Sequence, residues 1–373
     1  MRVIVFGGAG DVGSRAVEDL ALKEDVEQVT IADRAEASAR RVAAALGNRG
    51  ARVDVARVDA RDHEGLVAAM RGYDVAASAL GPFYEYETRL VRAAIEAGVD
   101  YASVCDDWTA AMQVLDVYDQ PARERGRVIL TGLGTSPGIT NVCVSLLTRR
   151  MDTPRRADVC VYQPLNGGGE AVIRHVLFIM SGQVAGFRDG RQQMVRACGS
   201  SVRIEFPRFG RVRVWNMGHS EPVTLHRFIP GLEEVRFYMG YGRGSRLFVL
   251  PCRTSLFTHP RMLDVVSRLL GKIERFLPAQ GIAEGAVRVD VYGERNGREV
   301  HEMLCGIGRM REATALSLSV GTLMLARREL CVEGGGAYAP EGGLEPELFL
   351  DRLREKGIFA YGDLEMTTRL GNG

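Results

Sequence analysis

Short apolar runs alternate with longer amphipathic stretches along the first third of the chain. Runs of apolar and β-branched residues predict six strands, at 3–6, 28–32, 51–58, 74–78, 100–104 and 127–131. The stretches between them are rich in Ala, Leu, Arg and Glu and predict helices at 11–23, 36–46, 64–70 and 88–97. Strands and helices that alternate at this spacing form βαβ units, so we predict an α/β domain with a doubly wound parallel sheet. Ligands of such sheets bind at the carboxyl ends of the strands.

From about residue 135 the strand-like segments come in pairs that are joined by turn residues. Asp189-Gly190 and Asn296-Gly297 each separate two β-rich runs, and Asn-Gly is a strong signal for a two-residue hairpin. Helices are predicted at 171–181 and 260–276, and the helical pattern returns at 313–328 and 346–356. We therefore predict an inserted α+β domain with a mostly antiparallel sheet at 135–311. The first domain is then built from 1–134 and 312–373.

The inserted sheet also bears on assembly. An antiparallel sheet has an outer face and two edges to cover, and pairing with a symmetry mate is a common solution. We therefore predict a homodimer, with the inserted domain serving both dimerisation and substrate binding.

Charge and cysteine content narrow the classes of function. The 48 Lys+Arg and 47 Asp+Glu residues leave a formal charge of +1, which argues against a nucleic-acid partner. No run approaches the ~18 apolar residues of a membrane span, so no membrane partner is expected. The seven cysteines are scattered, with no C-x-x-C pair, which predicts reduced thiols and neither a disulfide framework nor a metal site. With no leader segment before the first strand, these features predict a cytoplasmic protein.

The strongest motif follows the first predicted strand directly. Gly8-Ala9-Gly10-Asp11-Val12-Gly13 has the form G-x-G-x-x-G and opens a helix. Glycines let the backbone approach a pyrophosphate, while the helix N-terminus supplies amide groups and the positive end of the helix dipole. The motif therefore predicts a dinucleotide-binding domain.

The next strand ends suggest which dinucleotide binds. Asp33 ends the second strand, 20 residues after Gly13, where an acid binds the adenosine ribose hydroxyls. A carboxylate there repels a 2′-phosphate, so NAD is favoured over NADP. Arg34 is the alternative, because it can stack on adenine or pair with that phosphate. Asp59 and Ala60 follow the third strand, where they either contact the adenine or cap the next helix.

Carboxylates are the first candidates for proton transfer. The residues four before the three lysines are Asp19, Arg268 and Arg352, so the Tyr-x-x-x-Lys pair of short-chain dehydrogenases is absent. Asp106 and Asp107 follow the fifth strand, and either one is a proton acceptor or ammonium anchor unless both serve to cap the next helix. His219 and His175 of the inserted domain are further candidates, as are Tyr84 and Cys105 for substrate contact.

Three segments after the fourth, fifth and sixth strands carry a resemblance to a known family. They are Leu80-Gly81-Pro82-Phe83-Tyr84, Tyr101-Ala102-Ser103-Val104-Cys105-Asp106-Asp107 and Gly132-Leu133-Gly134-Thr135-Ser136-Pro137-Gly138-Ile139-Thr140-Asn141. With the glycine motif, they resemble the saccharopine dehydrogenase-like proteins, which include saccharopine reductases, lysine 6-dehydrogenases and carboxynorspermidine dehydrogenases. The resemblance implies that Gly81, Pro82 and Phe83 line the nicotinamide ribose, next to Leu80, and that Ser103 and the turn Ser136-Pro137-Gly138 face the substrate. Tyr84 either touches the substrate or packs, and Asn141 is a further candidate for orienting the substrate.

The chain also departs from the family pattern. Saccharopine reductases carry an acid before the Pro-Gly and Asp-His after it, whereas this chain has Ser136 and Thr140-Asn141. This departure argues against saccharopine as the substrate. The resemblance still implies an NAD(P)-dependent oxidoreductase that transfers hydride at a C–N bond of an amino acid or polyamine-derived substrate through an imine. The alternatives are a homospermidine-synthase-like transferase that recycles bound NAD, and a non-catalytic nucleotide-binding protein.

Overall fold

The structure is a computed structural model of the 373-residue chain. It describes all residues except 48–49, 165–168, 243–248, 250–251, 253–256, 258–259, 275–283 and 372–373. The chain divides into two compact units, which are described separately. Unit 1 comprises Met1–Val142 and Arg311–Ile358, and unit 2 comprises Cys143–Met310 and Phe359–Gly373.

Unit 1 is built on a seven-stranded parallel sheet. Its strands are β1 (Arg2–Phe6), β2 (Gln28–Asp33), β3 (Arg52–Arg57), β4 (Val75–Ser78), β5 (Asp100–Ser103), β6 (Val128–Thr131) and β15 (Gly336–Tyr338). Their order across the sheet is β15-β6-β5-β4-β1-β2-β3. The central strands are fully buried, as expected of a parallel sheet whose two faces are both covered. The predicted doubly wound sheet is therefore confirmed, with β15 as a seventh strand.

Helices connect these strands and cover the sheet. In the N-terminal stretch they are α1 (Asp11–Ala21), α2 (Glu36–Leu46), α3 (His63–Met70), α4 (Phe83–Ala97), α5 (Trp108–Val117), α6 (Asp119–Glu124) and α7 (Ile139–Thr148). The later helices are α11 (Met310–Ala326), α12 (Pro340–Gly343) and α13 (Pro346–Glu355). Helix α4 begins five residues before its predicted start, directly after Pro82, because a proline is tolerated where a helix begins.

Unit 2 contains an eight-stranded mixed sheet. The strands are β7 (Thr153–Tyr162), β8 (Gln183–Arg188), β9 (Arg191–Arg196), β10 (Ser201–Phe206), β11 (Gly210–Asn216), β12 (Glu234–Gly240), β13 (Gly285–Arg295) and β14 (Arg298–Gly308). Strands β8 and β9 branch from the path β10-β11-β12-β7-β13-β14. All pairs are antiparallel except β12 with β7. The predicted α+β unit with a mostly antiparallel sheet is confirmed.

Two of the hairpins have the turn residues that the sequence indicates. Asn296 and Gly297 join β13 to β14 with φ values of 52° and 70°, and Asp189 and Gly190 join β8 to β9 with 53° and 67°. Two successive positive φ values are typical of the tight turn whose twist matches that of the flanking strands.

The helices of unit 2 that begin and end within it are α8 (Gly169–Ile179), α9 (Glu221–Phe228) and α10 (Pro260–Glu274). Residues 275 and 276, the last two of the predicted helix 260–276, lie outside the described residues. No helix in the described part of the chain is long and apolar enough to span a lipid bilayer.

The division of the chain differs from the predicted domain boundaries. The first compact stretch ends at Val142 and not at residue 134, and residues 359–373 group with unit 2. The physical reason for the second difference is a pair of backbone hydrogen bonds between Cys305 of β14 and Tyr361, at 2.9 and 2.8 Å. This pairing joins the C-terminal segment to the unit 2 sheet.

Candidate active site

The glycine-rich loop between β1 and α1 is closely packed against itself. A Cβ at Gly13 would lie 2.1 Å from the carbonyl oxygen of Gly7, so no other residue fits there without a shift of the backbone. Gly10 precedes α1 and offers no side chain to cap it. The first amide groups of α1 are therefore not capped by a side chain, which is the arrangement that binds a pyrophosphate. The geometry fits a dinucleotide.

Asp33 lies at the end of β2, beside this loop. Its Oδ1 accepts a hydrogen bond from the amide of Ala35 at 2.8 Å, and its Oδ2 accepts one from the amide of Ala9 at 3.3 Å. The following residue, Arg34, is exposed. The carboxylate is thus held at the strand end where the ribose of a dinucleotide binds.

Asp59 and Ala60 follow β3, as expected from the sequence, but Asp59 does not cap α3. Asp62 is the N-cap residue, and its side chain accepts a hydrogen bond from the amide of Gly65 at 3.0 Å. Asp59 is exposed and accepts one from the amide of Arg61 at 3.0 Å. The structural alternative for Asp59, that of a helix cap, is therefore wrong.

Strands β4, β5 and β6 are neighbours, so the segments that follow them start side by side. Ser78, Ser103 and Thr131 lie at the same level of the sheet. The amide of Val104 donates to the carbonyl oxygen of Ser78 at 3.1 Å, and the amide of Gly132 donates to that of Ser103 at 2.9 Å. We refer to residues 81–84, 103–107 and 132–141 together as the loop edge. The segments predicted to converge do start next to one another.

Asp107 and Asp106 occupy the middle of the loop edge. Asp107 is 1% exposed and is the N-cap of α5, because its Oδ1 accepts hydrogen bonds from the amides of Thr109 and Ala110 at 2.9 and 3.0 Å. Its Oδ2 is buried and accepts no hydrogen bond within the described part of the chain. Asp106 is half-buried. The capping role anticipated for the pair belongs to Asp107.

Burial keeps the neighbouring Cys105 neutral. Its side chain is fully buried, and this burial raises the pKa of the thiol well above its ordinary value. The charges on Glu87, Asp107 and Asp106 raise it further. A thiol that does not ionise is a packing group or a weak hydrogen-bond donor, not a nucleophile.

The segment before α7 folds into a tight turn. Gly138 has a φ of 117°, and a Cβ there would lie 2.0 Å from the carbonyl oxygen of Gly134. Ser136 is half-buried and accepts a hydrogen bond from the Thr140 hydroxyl at 3.2 Å. Asn141 is fully buried, and its Nδ2 donates to the Glu341 carboxylate at 3.0 Å. Asn141 thus joins α7 to α12.

The two candidate histidines belong to unit 2. His219 is 4% exposed, hydrogen-bonds through Nδ1 to the buried carboxylate of Glu221, and stacks on Phe237 with a ring-centroid distance of 4.0 Å. A carboxylate partner of this kind fixes the tautomer and orientation of an imidazole ring. His175 is half-buried on α8.

Sequence reasoning missed Glu87, which lies on α4. Its carboxyl group is fully buried and accepts hydrogen bonds from hydroxyl groups on β5 and β6. Burial raises its pKa to about 7. A signal was present, because Glu87 precedes the buried Leu90, Val91 and Ala94 at the helical spacing of three, four and seven residues. The predicted helix started at residue 88 and left Glu87 out.

The glycine-rich loop, Asp33 at the end of β2 and the loop edge together define a dinucleotide-binding domain of the Rossmann type. In the sequence, this domain is interrupted by the α+β unit. Residues 3–126 match the family described as the saccharopine dehydrogenase NADP binding domain. This match confirms the resemblance inferred from the sequence for this stretch of the chain. Within the described residues, no group of three or more His, Cys, Asp or Glu side chains could hold a metal ion.

Curated relatives extend the likeness. A trans-acting enoyl reductase of Mycobacterium leprae is 26% identical over 158 residues, which is 42% of this chain and 38% of the relative. A carboxyaminopropylagmatine dehydrogenase of Synechocystis is 26% identical over 262 residues, which is 65% of this chain and 63% of the relative. The matches thus span less than two thirds of the length of either relative.

A solved structure shares the fold over almost the whole chain. It is apo saccharopine dehydrogenase (L-Glu forming) from Saccharomyces cerevisiae, with a TM-score of 0.70 and 15% identity. The match covers 96% of this chain and 98% of the yeast chain. The fold of this protein, including the inserted unit, is therefore that of saccharopine dehydrogenase.

Proposed function

We propose that this protein is an NAD(P)-dependent oxidoreductase that transfers hydride at a C–N bond of an amino acid or polyamine-derived substrate, through an imine. The observation that carries the proposal is the common origin of the loop-edge segments at the carboxyl ends of β4, β5 and β6, with Asp106 and Asp107 among them. Carboxylates suit a cationic amine substrate. The carboxyaminopropylagmatine dehydrogenase relative supports this class of substrate by its name.

The cofactor would be held by the residues between β1 and α1 and by the ends of the next strands. Gly8 to Gly13 would bind the pyrophosphate, Asp33 the adenosine ribose, and Asp59-Ala60 the adenine. Leu80 to Phe83 would line the nicotinamide ribose. When bound, the cofactor supplies the hydride acceptor, or the donor in the reverse direction. We propose NAD as the preferred cofactor because the carboxylate of Asp33 repels a 2′-phosphate, and Arg34 is the phosphate ligand if NADP is preferred.

Asp106 would accept the proton that a substrate ammonium group must lose before hydride can leave its carbon. Asp107 uses Oδ1 to cap α5 and keeps Oδ2 for a second hydrogen bond. His219, oriented by Glu221, is the alternative proton acceptor. The remaining proposed substrate contacts are neutral or half-buried groups that orient the substrate: Tyr84, Ser103, Cys105, Ser136, Pro137, Gly138, Asn141 and His175.

The decisive experiment is a substrate screen with both cofactors. Lysine, saccharopine and imines derived from diamines would be incubated with NAD(H) and NADP(H), and reduced nicotinamide followed by absorbance. Net turnover of free cofactor with an amine or imine supports the proposal. Product formation without net change in free NAD(H) identifies a transferase that recycles bound NAD. The proposal is contradicted if the protein turns over only enoyl substrates, or if it turns over none of the substrates tested.

We also propose that the protein acts in the cytoplasm as a homodimer. The cysteines in the described residues are all free thiols, as in a reducing compartment. Strands β10 and β14 end the main path of the unit 2 sheet, so each has one edge without a neighbour on that path. A second copy of the chain is a common way to cover such edges.

A further inference from the structure

Glu87 lies on α4, just after the first segment of the loop edge, and hydrogen-bonds to residues near the ends of β5 and β6. Its Oε1 accepts hydrogen bonds from the hydroxyls of Ser103 and Thr131 at 2.5 and 3.0 Å, and its Oε2 accepts one from the phenol of Tyr101 at 2.9 Å. Ser103 Oγ in turn accepts one from the amide of Cys105 at 3.4 Å. A single side chain on α4 is therefore bonded to the last residues of β5 and β6, from which two of the loop segments start.

Burial, together with the nearby charge on Asp107, disfavours the carboxylate form of Glu87. Burial is the main cause of its raised pKa, and the negative charge on Asp107 adds to it, while the three hydroxyl donors act in the opposite direction. On β5, the pKa of Tyr101 is raised well above its ordinary value by burial, so the phenol stays neutral, as does the thiol of Cys105. From α3, His63 pairs with Glu96 near the far end of α4, at the surface. The carboxyl group can therefore change its charge near neutral pH.

Burying a carboxyl group costs desolvation free energy, which is unfavourable if its only role is to connect strands. A buried amide or an apolar side chain would avoid the cost of a charge in the interior. Glu87 also lies four residues, about 6 Å along the axis of α4, beyond Phe83. Phe83 is part of the segment proposed to line the nicotinamide ribose. The proposed position of the nicotinamide ring is thus close to Glu87, so a change in the charge of the ring would alter the pKa of the Glu87 carboxyl group.

We propose that Glu87 is a positioning residue whose carboxyl group loses part of its proton occupancy to solvent when the oxidised nicotinamide binds and keeps it when the reduced form binds. This inference rests on the proposed function. The oxidised ring carries a positive charge and the reduced ring is neutral, so only the oxidised ring stabilises the carboxylate. Ser103 and Thr131 can rotate their hydroxyls to donate to the carboxylate or to accept from the carboxylic acid.

The size of the effect follows from electrostatics. A unit positive charge at about 10 Å, with an effective dielectric constant near 20, lowers the pKa of a carboxyl group by about 1. Starting from a pKa of about 7, the group changes from about three-quarters to about one-quarter protonated at about pH 6.5. About half a proton should therefore leave per bound NAD⁺. Affinity for NAD⁺ should be about tenfold weaker at about pH 5 than at about pH 8, whereas affinity for NADH should lack this dependence.

Calorimetry measures this proton directly. NAD⁺ and NADH are titrated into the full chain at pH 6.5 in buffers of different ionisation enthalpy, with NADP⁺ and NADPH used in the same way if the protein prefers them. We expect about half a proton released with the oxidised cofactor and almost none with the reduced one. In Glu87→Gln, which keeps the shape but does not ionise, both values should be near zero.

Two further variants test whether the released proton comes from Glu87. Asp100→Asn changes another buried carboxylate at the opposite end of β5, and it should release the same proton as the unaltered protein. Thr131→Val removes one donor to Glu87, so the pH of maximal release should rise by about one unit. Equal release by Glu87→Gln and the unaltered protein, or no release by the unaltered protein between pH 5.5 and 8, overturns the inference. If neither cofactor binds at all, the proposed function fails and this inference fails with it.

Discussion

The amide of Ala9 donates to Oδ2 of Asp33 and so joins the glycine-rich loop to the end of β2. These two residues are 24 positions apart in the chain. Because Asp33 also accepts a hydrogen bond from the amide of Ala35, its carboxylate is held in place at the carboxyl end of β2. We therefore expect this carboxylate to decide between cofactors with and without a 2′-phosphate.

Replacing Asp33 with Ser should shift cofactor preference towards NADP by about 1–3 kcal/mol, because a like-charged contact with the 2′-phosphate is removed. Calorimetric dissociation constants for both cofactors measure the shift. Asp54→Asn is the control, since Asp54 lies within β3 and accepts from Gln28 and Arg52. An unaltered protein that already prefers NADP would contradict the assignment and favour Arg34 as the phosphate ligand.

Asp106→Asn should lower turnover by about 10²–10⁴, because the amide keeps the shape of the side chain but does not accept a proton. Cofactor binding should stay intact, which the same calorimetry measures. Normal turnover in this variant would shift the role of proton acceptor to His219. His219→Gln should then show the loss that Asp106→Asn does not.

Asp107 should reveal its capping role in local stability. Asp107→Ala removes the side-chain acceptor of two α5 amides and should cost about 0.5–2 kcal/mol, whereas Asp107→Asn should cost much less, because Asn is a comparable cap. Hydrogen exchange at the amides of Thr109 and Ala110 reports this cost residue by residue. Equal exchange rates in the Ala and Asn variants would be inconsistent with the cap.

Glu87 should make the stability of unit 1 depend on pH. Its pKa rises from 4.5 to about 7 on folding because it is buried, so the folded state binds more protons than the unfolded state between these values. Stability is therefore lost as pH rises towards 7 and levels off above it. Glu87→Gln has no such titration. The free energy of unfolding of this variant, relative to that of the unaltered protein, should therefore rise by up to about 3 kcal/mol as the pH goes from about 4.5 to above 7.

Tryptophan fluorescence can follow this difference in unit 1. The chain has two tryptophans, Trp108 on α5 of unit 1 and Trp215 on β11 of unit 2. In a Trp215→Phe background, urea unfolding at pH 5 and pH 8 reports on Trp108 alone. Parallel pH profiles with and without the Glu87→Gln substitution would show that the carboxyl group does not titrate in this range.

The homodimer is tested by mass in solution. Light scattering at micromolar concentration should give twice the chain mass of 40.8 kDa. A measured mass equal to that of one chain would rule out the predicted assembly.

The amino-acid pattern predicted the parallel sheet because the first six strands of unit 1 are short, mostly apolar runs with a glycine, proline or acid at or soon after their ends. Neighbouring parallel strands bring such residues to one edge, so Asp33, Asp106 and Ser136 could be placed from the pattern alone. Strand β15 could not, because its three residues carry too little apolar pattern to separate it from the glycines before it.

Long-range contacts account for the other differences. The grouping of residues 359–373 with unit 2 depends on the pairing of Cys305 with Tyr361, 56 positions later, which no local pattern encodes. Glu87 was missed for a related reason. Its partners Tyr101, Ser103 and Thr131 lie 14, 16 and 44 residues away, and only the folded sheet brings their hydroxyls to one carboxyl group.

Each unit is assembled from two separate stretches of chain, and this bears on the order of events during synthesis. Unit 1 lacks its buried helix α11 and strand β15 until the ribosome has passed residue 338, long after Thr131 has emerged. Unit 2 in turn waits for the segment that contains Tyr361. The seven-stranded sheet of unit 1 is therefore completed only after most of the chain has been translated, and incomplete intermediates that expose apolar strand edges are prone to aggregation.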